Sequence, residues 1–375
     1  CHRMAQLAIQ GGEPVAPAGF EESWPIWDDT EREAMLDVLE SGRWCSADFY
    51  FDERSDSAVR RLEDRFAADV GVEYAHAVPN GTQALELAFA AIDVQPGDEV
   101  IVPAVSFIAS ATAVTQAAGV PVFVDVEPET YQIDPERVAE AITDRTVAIE
   151  AVHYGGYPAA LDRLREIADD NDLALIEDCA QAHGTEWRGE RVGTYGDVAC
   201  WSLQQTKQLN CGEGGMVATD DEELHERLYA HKNLGRTPTG SKYEHAIPAG
   251  NYRLSEFLGA LALAQFERYP EQTERREAVG AALTERLDAV AGIDTIRRDD
   301  RVTQRGYMYY FLRYDAEAWG GVHRDQFMAA LDAEGIDCST GHSDPMYAHP
   351  AFQSIDPRLQ YGNERDYTET ACPEA

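Results

Sequence analysis

The sequence predicts an α/β fold in which helices cover a mostly parallel sheet, followed by a smaller α+β domain. Three observations support this prediction. Short apolar runs alternate with helical segments from residue 74 to residue 203, which is the pattern of a parallel sheet with covering helices. A long polar helix then precedes one further strand and one further helix. The 375 residues suffice for one large domain and a smaller one.

The elements of the large domain follow from helix start and stop signals and from apolar runs. Residues 28–42 are predicted as a helix with an acidic start and Gly42 at its end, and residues 55–70 as a second helix. Further helices are predicted over residues 81–92, 106–118 and 161–169. Strands are predicted over residues 74–78, 99–102, 121–126, 147–152, 174–177 and 198–203.

The division into two domains is placed near the start of the long polar helix. An Ala- and Leu-rich helix is predicted over residues 259–268 and is followed by Pro270. A polar helix over 271–291, a strand over 307–313 and a helix over 324–334 come next. We therefore predict a large domain over residues 1–268, including an N-terminal arm, and a small C-terminal domain over residues 269–375.

Acidic side chains outnumber basic ones by 68 to 31, which gives a formal charge of −37. The acidity is spread along the chain in pairs such as Asp169-Asp170 and Asp299-Asp300. This pattern favours a protein from a halophile, because high salt screens most of the self-repulsion. An acidic interaction surface is the alternative. We expect no nucleic-acid partner, since binding to phosphates requires a basic surface.

The seven cysteines are scattered and include no C-x-x-C pair, which indicates free thiols in a reducing cytoplasm. No apolar run reaches the roughly 18 residues of a membrane-spanning helix, and no signal peptide is visible. We therefore expect a cytoplasmic protein that does not enter a membrane.

Lys207 is the residue from which a function is first inferred. It is one of only three lysines, so arginine supplies all the other basic side chains. Lysine can form a Schiff base once its amine is deprotonated, whereas arginine is effectively always protonated. Lys207 also precedes a glycine-rich turn over residues 211–215. The interpretation is a covalent anchor for an aldehyde cofactor, most plausibly pyridoxal 5'-phosphate (PLP). The alternative is a surface lysine that escaped replacement.

A phosphate site is predicted at Asn80-Gly81-Thr82-Gln83. This segment follows a predicted strand and opens a helix, and a helix N-terminus offers free N–H groups and a positive dipole to a phosphate. The hydroxyl of Thr82 adds a donor. The alternative is an ordinary N-cap with a tight turn.

Asp178 ends an apolar strand, and in open α/β sheets ligands gather at the carboxyl ends of the strands. A carboxylate there can pair with a protonated pyridine nitrogen. The alternative is an Asp that caps the following loop. Gln181 and His183 follow closely enough to reach a cofactor ring or its hydroxyl, although His183 can equally be a structural hydrogen-bonding residue.

Four further residues complete the candidate set. Phe107 follows a strand end, where it can stack on a cofactor ring or pack in the core. Ser202 precedes Lys207 by five residues and can donate to a phosphate. Asn251 and Arg253 precede an apolar helix, where they can bind an anion or cap the helix.

The order of these segments resembles that of fold-type I PLP enzymes. Over essentially its whole length the chain is similar to the DegT/DnrJ/EryC1/StrS family of sugar aminotransferases. The matching stretches are residues 80–85, 102–111, 125–134, 177–184, 202–215 and 250–260.

The resemblance implies a role for each matched residue. Lys207 would be the Schiff-base lysine and the proton carrier, and Asp178 would bind the pyridine nitrogen. The cofactor would also be held by Gly81, Thr82 and Ser202 at its phosphate, by Gln181 at the ring oxygen and by Phe107 against the ring. Asn251 would come from the neighbouring subunit and complete the phosphate site, so the resemblance implies a homodimer with shared active sites. No metal is expected.

Within the family, the chain most resembles scyllo-inosose aminotransferases and 3-amino-5-hydroxybenzoate synthases. Gln181 stands where the latter carry a His, which favours a keto-cyclitol or nucleotide-linked keto-sugar as acceptor. The implied amino donor is glutamate or glutamine. One alternative is a PLP-dependent sugar dehydratase, but that branch replaces the lysine with histidine. The other is a PLP-binding regulatory or scaffold protein without turnover.

Loops are expected to form the walls of the substrate pocket. The candidates lie over residues 153–157, 236–245 and 340–347. Members of the family normally continue some tens of residues past a Cys-Pro such as Cys372-Pro373. The small domain is therefore expected to be truncated.

Overall fold

The computed structural model describes residues 6–17, 19, 24–47, 57–241, 243–342 and 344–354. The strands are β1 (Tyr74–Val78), β2 (Glu99–Pro103), β3 (Val120–Val124), β4 (Thr146–Val152), β5 (Ala174–Asp178), β6 (Glu186–Trp187), β7 (Glu190–Arg191), β8 (Val198–Ser202), β9 (Gly215–Thr219), β10 (Ile293–Thr295), β11 (Val302–Gln304) and β12 (Leu312–Tyr314). The α-helices are α1 (Asp29–Ser41), α2 (Ala58–Val70), α3 (Gly81–Ala91), α4 (Ala109–Gln116), α5 (Pro135–Ala141), α6 (Leu161–Asp170), α7 (Glu222–Lys232), α8 (Glu256–Leu287), α9 (Arg324–Ala333) and α10 (Pro350–Gln353).

A seven-stranded sheet in the order β1-β9-β8-β5-β4-β2-β3 forms the centre of the molecule. Strand β9 runs antiparallel to both of its neighbours. The other strands pair in parallel from β8 to β3. This arrangement confirms the predicted mostly parallel α/β sheet. It also brings the carboxyl ends of β1, β8, β5 and β2 to one edge of the sheet.

Both faces of this sheet are buried, which explains the nearly continuous apolar strands. One face, with Ile101, Ile149 and Leu175, packs in a core shared with α2, α6 and α8. The opposite face, with Val102 and Ile176, packs against α3 and α4. The strand positions predicted from the apolar runs are therefore confirmed to within two residues.

The prediction that a helix ends before Pro270 is wrong. One helix, α8, contains this proline in its interior. A proline inside a helix costs about 3 kcal/mol, because one backbone hydrogen bond is lost. Packing of α8 against α1 and α2, with Phe266 and Tyr269 buried in the core, offsets this cost. The helix crosses the boundary predicted at residues 268 and 269, and the division into domains stays a prediction.

The strand predicted over residues 307–313 is wrong over most of its length. Only Leu312–Tyr314 forms a ladder, with Ile293–Thr295. Tyr307 has φ 47°, which interrupts an extended segment. The ring of Phe311 instead stacks on Tyr154, with centroids 5.0 Å apart. The aromatic run therefore contributes to packing next to the sheet rather than to a long strand.

Two sequence predictions concern other features of the chain. Cys372-Pro373, on which the predicted truncation depends, lies outside the described residues. Among the residues that the structure describes, no helix is both long enough and apolar enough to cross a membrane.

Candidate active site

Lys207 lies in the loop between β8 and β9, at the carboxyl edge of the sheet. Its backbone N–H donates to the carbonyl of Gln204 at 2.8 Å, which closes a tight turn. Trp24 fixes this turn from outside, since its indole N–H donates to the carbonyl of Gln205 at 2.8 Å. Burial lowers the pKa of the Lys207 amine below its ordinary 10.5, and the negative charge of Asp178 partly opposes this effect. The amine is therefore easier to deprotonate than that of an ordinary lysine.

Asp178 is the last residue of β5 and is buried. Burial raises the pKa of its carboxyl group, and the Ala180 N–H, the charge of Lys207 and the Ser110 hydroxyl oppose the rise. The Ala180 N–H donates to Oδ1 at 3.0 Å, and the Ser110 hydroxyl donates to Oδ2 at 3.1 Å. Burial thus disfavours the charged form of both Lys207 and Asp178, and a cationic ligand would stabilise the carboxylate.

The predicted phosphate turn and Ser202 meet at the start of α3. A Cβ atom on Gly81 would lie 2.8 Å from the Cβ of Ser202, and one on Gly215 would lie 2.6 Å from the carbonyl carbon of Asn80. Only glycines allow these segments to approach so closely. The Asn80 side chain caps α3 by accepting the Gln83 N–H at 2.8 Å. The first-turn N–H groups of Gly81 and Thr82 have no partner within the helix, so they can bind an anion.

Gln181 and His183 lie on the loop that follows β5. The Gln181 Oε1 accepts the Gly155 N–H at 2.8 Å, which leaves its NH₂ group to donate elsewhere. The His183 Nε2–H donates to the Ser202 carbonyl at 2.8 Å. Burial, the largest effect, lowers the pKa of His183 to about 4. His183 is thus a neutral residue that holds the end of β8, in line with the structural interpretation of this histidine.

Phe107 and Asn251 occupy different surroundings. The Phe107 side chain is 53% exposed, so it is not the core residue of the alternative interpretation. Its ring centroid lies 5.9 Å from that of His342.

Asn251 is exposed, forms a β-bridge with Asn233 and accepts the Arg253 N–H at 3.4 Å. Among the described residues of one chain, no hydrogen bond joins Asn251 to Lys207 or Ser202.

Two polar residues behind Asp178 were not found from the sequence. Ser110 on α4 donates to Asp178 and is also 3.0 Å from the Ser106 hydroxyl. Glu150 on β4 is fully buried, and both of its carboxyl oxygens lack a hydrogen-bond partner among the described residues. Burial and the charge of Asp178 raise the pKa of Glu150 well above its ordinary value. Burial therefore favours the protonated form of Glu150.

The loops predicted as pocket walls supply two more residues. Tyr154 and His342 come from the first and third of these loops, and the Tyr154 hydroxyl lies 2.9 Å from the His342 Nδ1. Burial and the positive charge of Lys207 lower the pKa of His342, so this imidazole belongs to the same electrostatic neighbourhood as the amine. The only feature of the sequence that pointed to Tyr154 and His342 was their position in loops predicted to form the pocket walls.

His153, Glu177 and Cys179 form a buried group whose potential ligand atoms lie within 4.8 Å of one another. The His153 Nδ1 accepts the Ala159 N–H at 3.1 Å, and its Nε2–H donates to Glu177 at 2.9 Å. Glu177 also accepts N–H groups from the segment 193–196. His153 and Glu177 are thus already hydrogen-bonded to each other and to backbone N–H groups. The predicted lack of a metal stays a prediction.

A cavity of about 370 Å³ lies along the outer part of α8, lined by Trp24, Arg276, Tyr307 and Tyr310 among others. None of the predicted site residues lines it. The chemistry-bearing groups instead converge at the carboxyl edge of the sheet.

A sequence model described as the DegT/DnrJ/EryC1/StrS aminotransferase family matches residues 26–373. An L-glutamine:2-deoxy-scyllo-inosose aminotransferase of Micromonospora echinospora is 39% identical over 347 residues, which cover 88% of this chain and 80% of the relative. These similarities extend over the whole large sheet and most of the C-terminal part.

Solved structures of similar proteins have the same fold. A 3-amino-5-hydroxybenzoic acid synthase is 37% identical with a TM-score of 0.72, covering 79% of this chain and 76% of the other. The E. coli GDP-4-keto-6-deoxy-D-mannose-3-dehydratase with bound hydrated PLP is 25% identical with a TM-score of 0.77, covering 92% and 90%.

Proposed function

Because the chain belongs to the DegT/DnrJ/EryC1/StrS aminotransferase family, we propose that Lys207 and Asp178 are the catalytic residues of its amino-transfer reaction. The protein is a PLP-dependent aminotransferase of the α/β, fold-type I class, and it transfers an amino group to a keto-cyclitol or keto-sugar. The overall reaction converts an amino acid and a ketone into a 2-oxo acid and an amine. One observation carries the residue assignment: the half-buried amine of Lys207 follows β8, and the buried carboxyl of Asp178 ends the neighbouring parallel strand β5, at the same carboxyl edge of the sheet.

The residues at this edge fit the chemical groups of PLP. Gly81 lacks the Cβ that would collide with Ser202, and the N-terminus of α3 with the Thr82 and Ser202 hydroxyls suits a phosphate. The buried carboxylate of Asp178 suits a protonated pyridine nitrogen. The NH₂ group of Gln181 suits the ring oxygen, and the exposed ring of Phe107 can lie against the cofactor ring. When bound, PLP supplies an electron sink that stabilises negative charge at the substrate carbon.

The protein's own residues provide binding, orientation and proton transfer. Asp178, held by Ser110 and Ala180, would keep the ring nitrogen protonated. Lys207 Nζ would bind the cofactor's aldehyde and, once released by an amino substrate, carry a proton between substrate and cofactor. Its lowered pKa makes the deprotonated, nucleophilic amine available at lower pH than in an ordinary lysine.

L-Glutamine is proposed as the amino donor, since the Micromonospora relative is named for it, with L-glutamate as the alternative. The proposed acceptor is a six-membered ring ketone that carries hydroxyl groups. A dehydratase function is disfavoured, because Lys207 stands where that branch has a histidine. The other alternative is a PLP-binding protein without turnover. Detection of a product in the assay below would exclude it.

Asn251 is proposed to act in a homodimer. It is exposed, and Arg253 beside it donates to the Asn233 side chain at 2.9 Å, which stiffens this loop. A homodimer would allow the Asn251 amide to complete the phosphate site of the neighbouring subunit. The oligomeric state in solution, and the effect of Asn251→Ala on the affinity for PLP, test this assignment.

The working environment is proposed to be a reducing cytoplasm with high salt. Five cysteines of the described chain are free thiols, which suits a reducing compartment. The formal charge of −37 would be screened at high salt.

The test of the function is a product assay with purified protein, PLP and L-glutamine. Formation of the 2-oxo acid by the wild type, and its loss in Lys207→Arg, is the expected result. Arginine keeps the positive charge but cannot form the Schiff base, so this variant separates covalent chemistry from electrostatics. A Lys207→Arg variant as active as the wild type would refute the assignment of Lys207 as the Schiff-base residue.

A further inference from the structure

Tyr154 and His342 form a hydrogen-bonded pair that joins two loops, and the charge of Lys207 acts on His342. The Tyr154 hydroxyl lies 2.9 Å from the His342 Nδ1, and the backbone N–H of His342 donates to the same hydroxyl oxygen at 3.3 Å. His342 thus makes two contacts to the Tyr154 hydroxyl, although the two residues are 188 positions apart in the sequence. Neither residue has a role in the catalysis described above.

The hydrogen-bond geometry assigns the protons of this pair. Burial raises the pKa of Tyr154 to about 12, so the phenol keeps its proton, and the lowered pKa of His342 keeps the imidazole neutral. The phenol oxygen already accepts the His342 backbone N–H, and Nδ1 is the acceptor that the described residues offer to its O–H. The single proton of the neutral imidazole then lies on Nε2.

The pair is held rigidly. Gln132 binds the backbone of Tyr154 on both sides, accepting its N–H at 3.0 Å and donating to its carbonyl at 3.0 Å. The Tyr154 ring stacks on Phe311 with centroids 5.0 Å apart. On the other side, the His342 ring lies 5.9 Å from the exposed ring of Phe107. The imidazole is therefore fixed between a buried tyrosine and the open part of the site.

We propose that His342, oriented by Tyr154, recognises the ketone acceptor by donating its Nε2–H to a hydroxyl or keto oxygen of the acceptor ring. This inference rests on the proposed function and assigns the residue that selects the acceptor. A neutral donor matches an uncharged polyol, whereas the α-carboxylate of the amino donor would favour a cation. A site built to hydrogen-bond a substrate hydroxyl also rejects analogues that lack it, because its buried polar group is left unpaired.

The two half-reactions of a transaminase allow a sharp test. The donor half-reaction is followed with L-glutamine and PLP-loaded enzyme in a single turnover. The acceptor half-reaction is followed with the aminated enzyme and 2-deoxy-scyllo-inosose or, if the wild type prefers it, another keto-cyclitol or keto-sugar. The variants are His342→Phe, His342→Asn and Tyr154→Phe.

For His342→Phe we expect the KM of the ketone to rise roughly tenfold, the effect of one lost hydrogen bond, with the donor half-reaction within about twofold of the wild type. His342→Asn, which keeps an N–H donor, should recover part of the loss. Tyr154→Phe should give an intermediate KM, because the imidazole proton is no longer confined to Nε2.

Three results would overturn the inference. One is an unchanged KM for the ketone in His342→Phe. Another is an equal loss in both half-reactions, which would make His342 a general structural residue. The last is a wild type that releases 2-oxo acid from L-glutamine but aminates no ketone. Failure of the donor half-reaction in the wild type would instead refute the proposed function itself, so the two failures are distinguishable.

Discussion

The Ser110 hydroxyl donates to the Oδ2 of Asp178 at 3.1 Å and connects the first turn of α4 to the last residue of β5. The neighbouring strand β4 places the buried carboxyl of Glu150, which has no hydrogen-bond partner in the part of the chain that the structure describes, on the same face. Ser110 and the Ala180 N–H are therefore the protein donors that stabilise the charged form of Asp178. The charge that would hold the pyridine nitrogen depends on this small network.

Replacement of Ser110 by Ala should weaken PLP binding. Without its hydroxyl the pKa of Asp178 rises further, and a hydrogen bond to a charged group contributes about 1.5–3 kcal/mol. The Kd for PLP, measured by fluorescence titration of the apoprotein, should rise by roughly one to two orders of magnitude. Ser106→Ala is the matched control, since Ser106 contacts Ser110, and it is the Ser110 hydroxyl that donates to Asp178. Equal affinities for both variants would contradict this role.

The lowered pKa of Lys207 should be visible in the apoprotein. Reductive methylation with formaldehyde, read at Lys207 by mass spectrometry across a pH series, should reach half its maximum below the ordinary pKa of 10.5. In Asp178→Asn the midpoint should move to still lower pH, because the carboxylate that raises the pKa is gone. A midpoint unchanged between the two proteins would show that Asp178 does not act on the amine.

Glu150 should make stability fall with rising pH. Its folded pKa lies well above the ordinary 4.5, so the folded state binds more protons than the unfolded state between these two values. The associated stability is complete below pH 4.5 and is lost as the pH rises through the folded pKa, at up to about 1.4 kcal/mol per pH unit. Urea unfolding of Glu150→Gln should lack this decline.

Glu140→Gln, at an exposed carboxylate, is the control for the pH series. It should decline with pH as the wild type does. A wild type and a Glu150→Gln variant with parallel pH profiles would mean that Glu150 does not titrate in this window.

Salt should stabilise the fold through screening. The formal charge of −37 is self-repelling, and the Debye length falls to about 3 Å at about 1 M salt. The thermal midpoint should therefore rise steeply when KCl is added up to about 1 M, while sucrose at matched water activity serves as the uncharged control. A midpoint that responds equally to both additives would indicate solvent exclusion rather than charge screening.

The local parts of the site could be predicted from the sequence. Asp178 follows an apolar strand, and Gly81 opens a helix after a strand, so each position is defined by a few neighbouring residues. The parallel sheet then brings such positions to one edge, which explains why Ser202 and Gly81 meet. The role of each residue in cofactor binding stays a prediction.

Other parts could not be predicted, because they depend on contacts between distant segments. Ser110 is an ordinary helix residue until β5 places Asp178 beside it, and Glu150 resembles any polar residue in a strand until both faces of the sheet are buried. Tyr154 and His342 meet only through loop packing. At Pro270 the local rule that a proline ends a helix fails, because tertiary packing stabilises α8 on both sides of this residue.

The most direct test of the account is a transfer experiment with L-glutamine labelled with ¹⁵N at its α-amino group. The PLP-loaded protein is mixed with the labelled donor, freed of it, and then given 2-deoxy-scyllo-inosose and other keto-cyclitols and keto-sugars. We expect ¹⁵N in an amino-cyclitol or amino-sugar product with the wild type and none with Lys207→Arg. Label in the product from Lys207→Arg, or a wild type that never passes the label to a ketone, would contradict the proposed function.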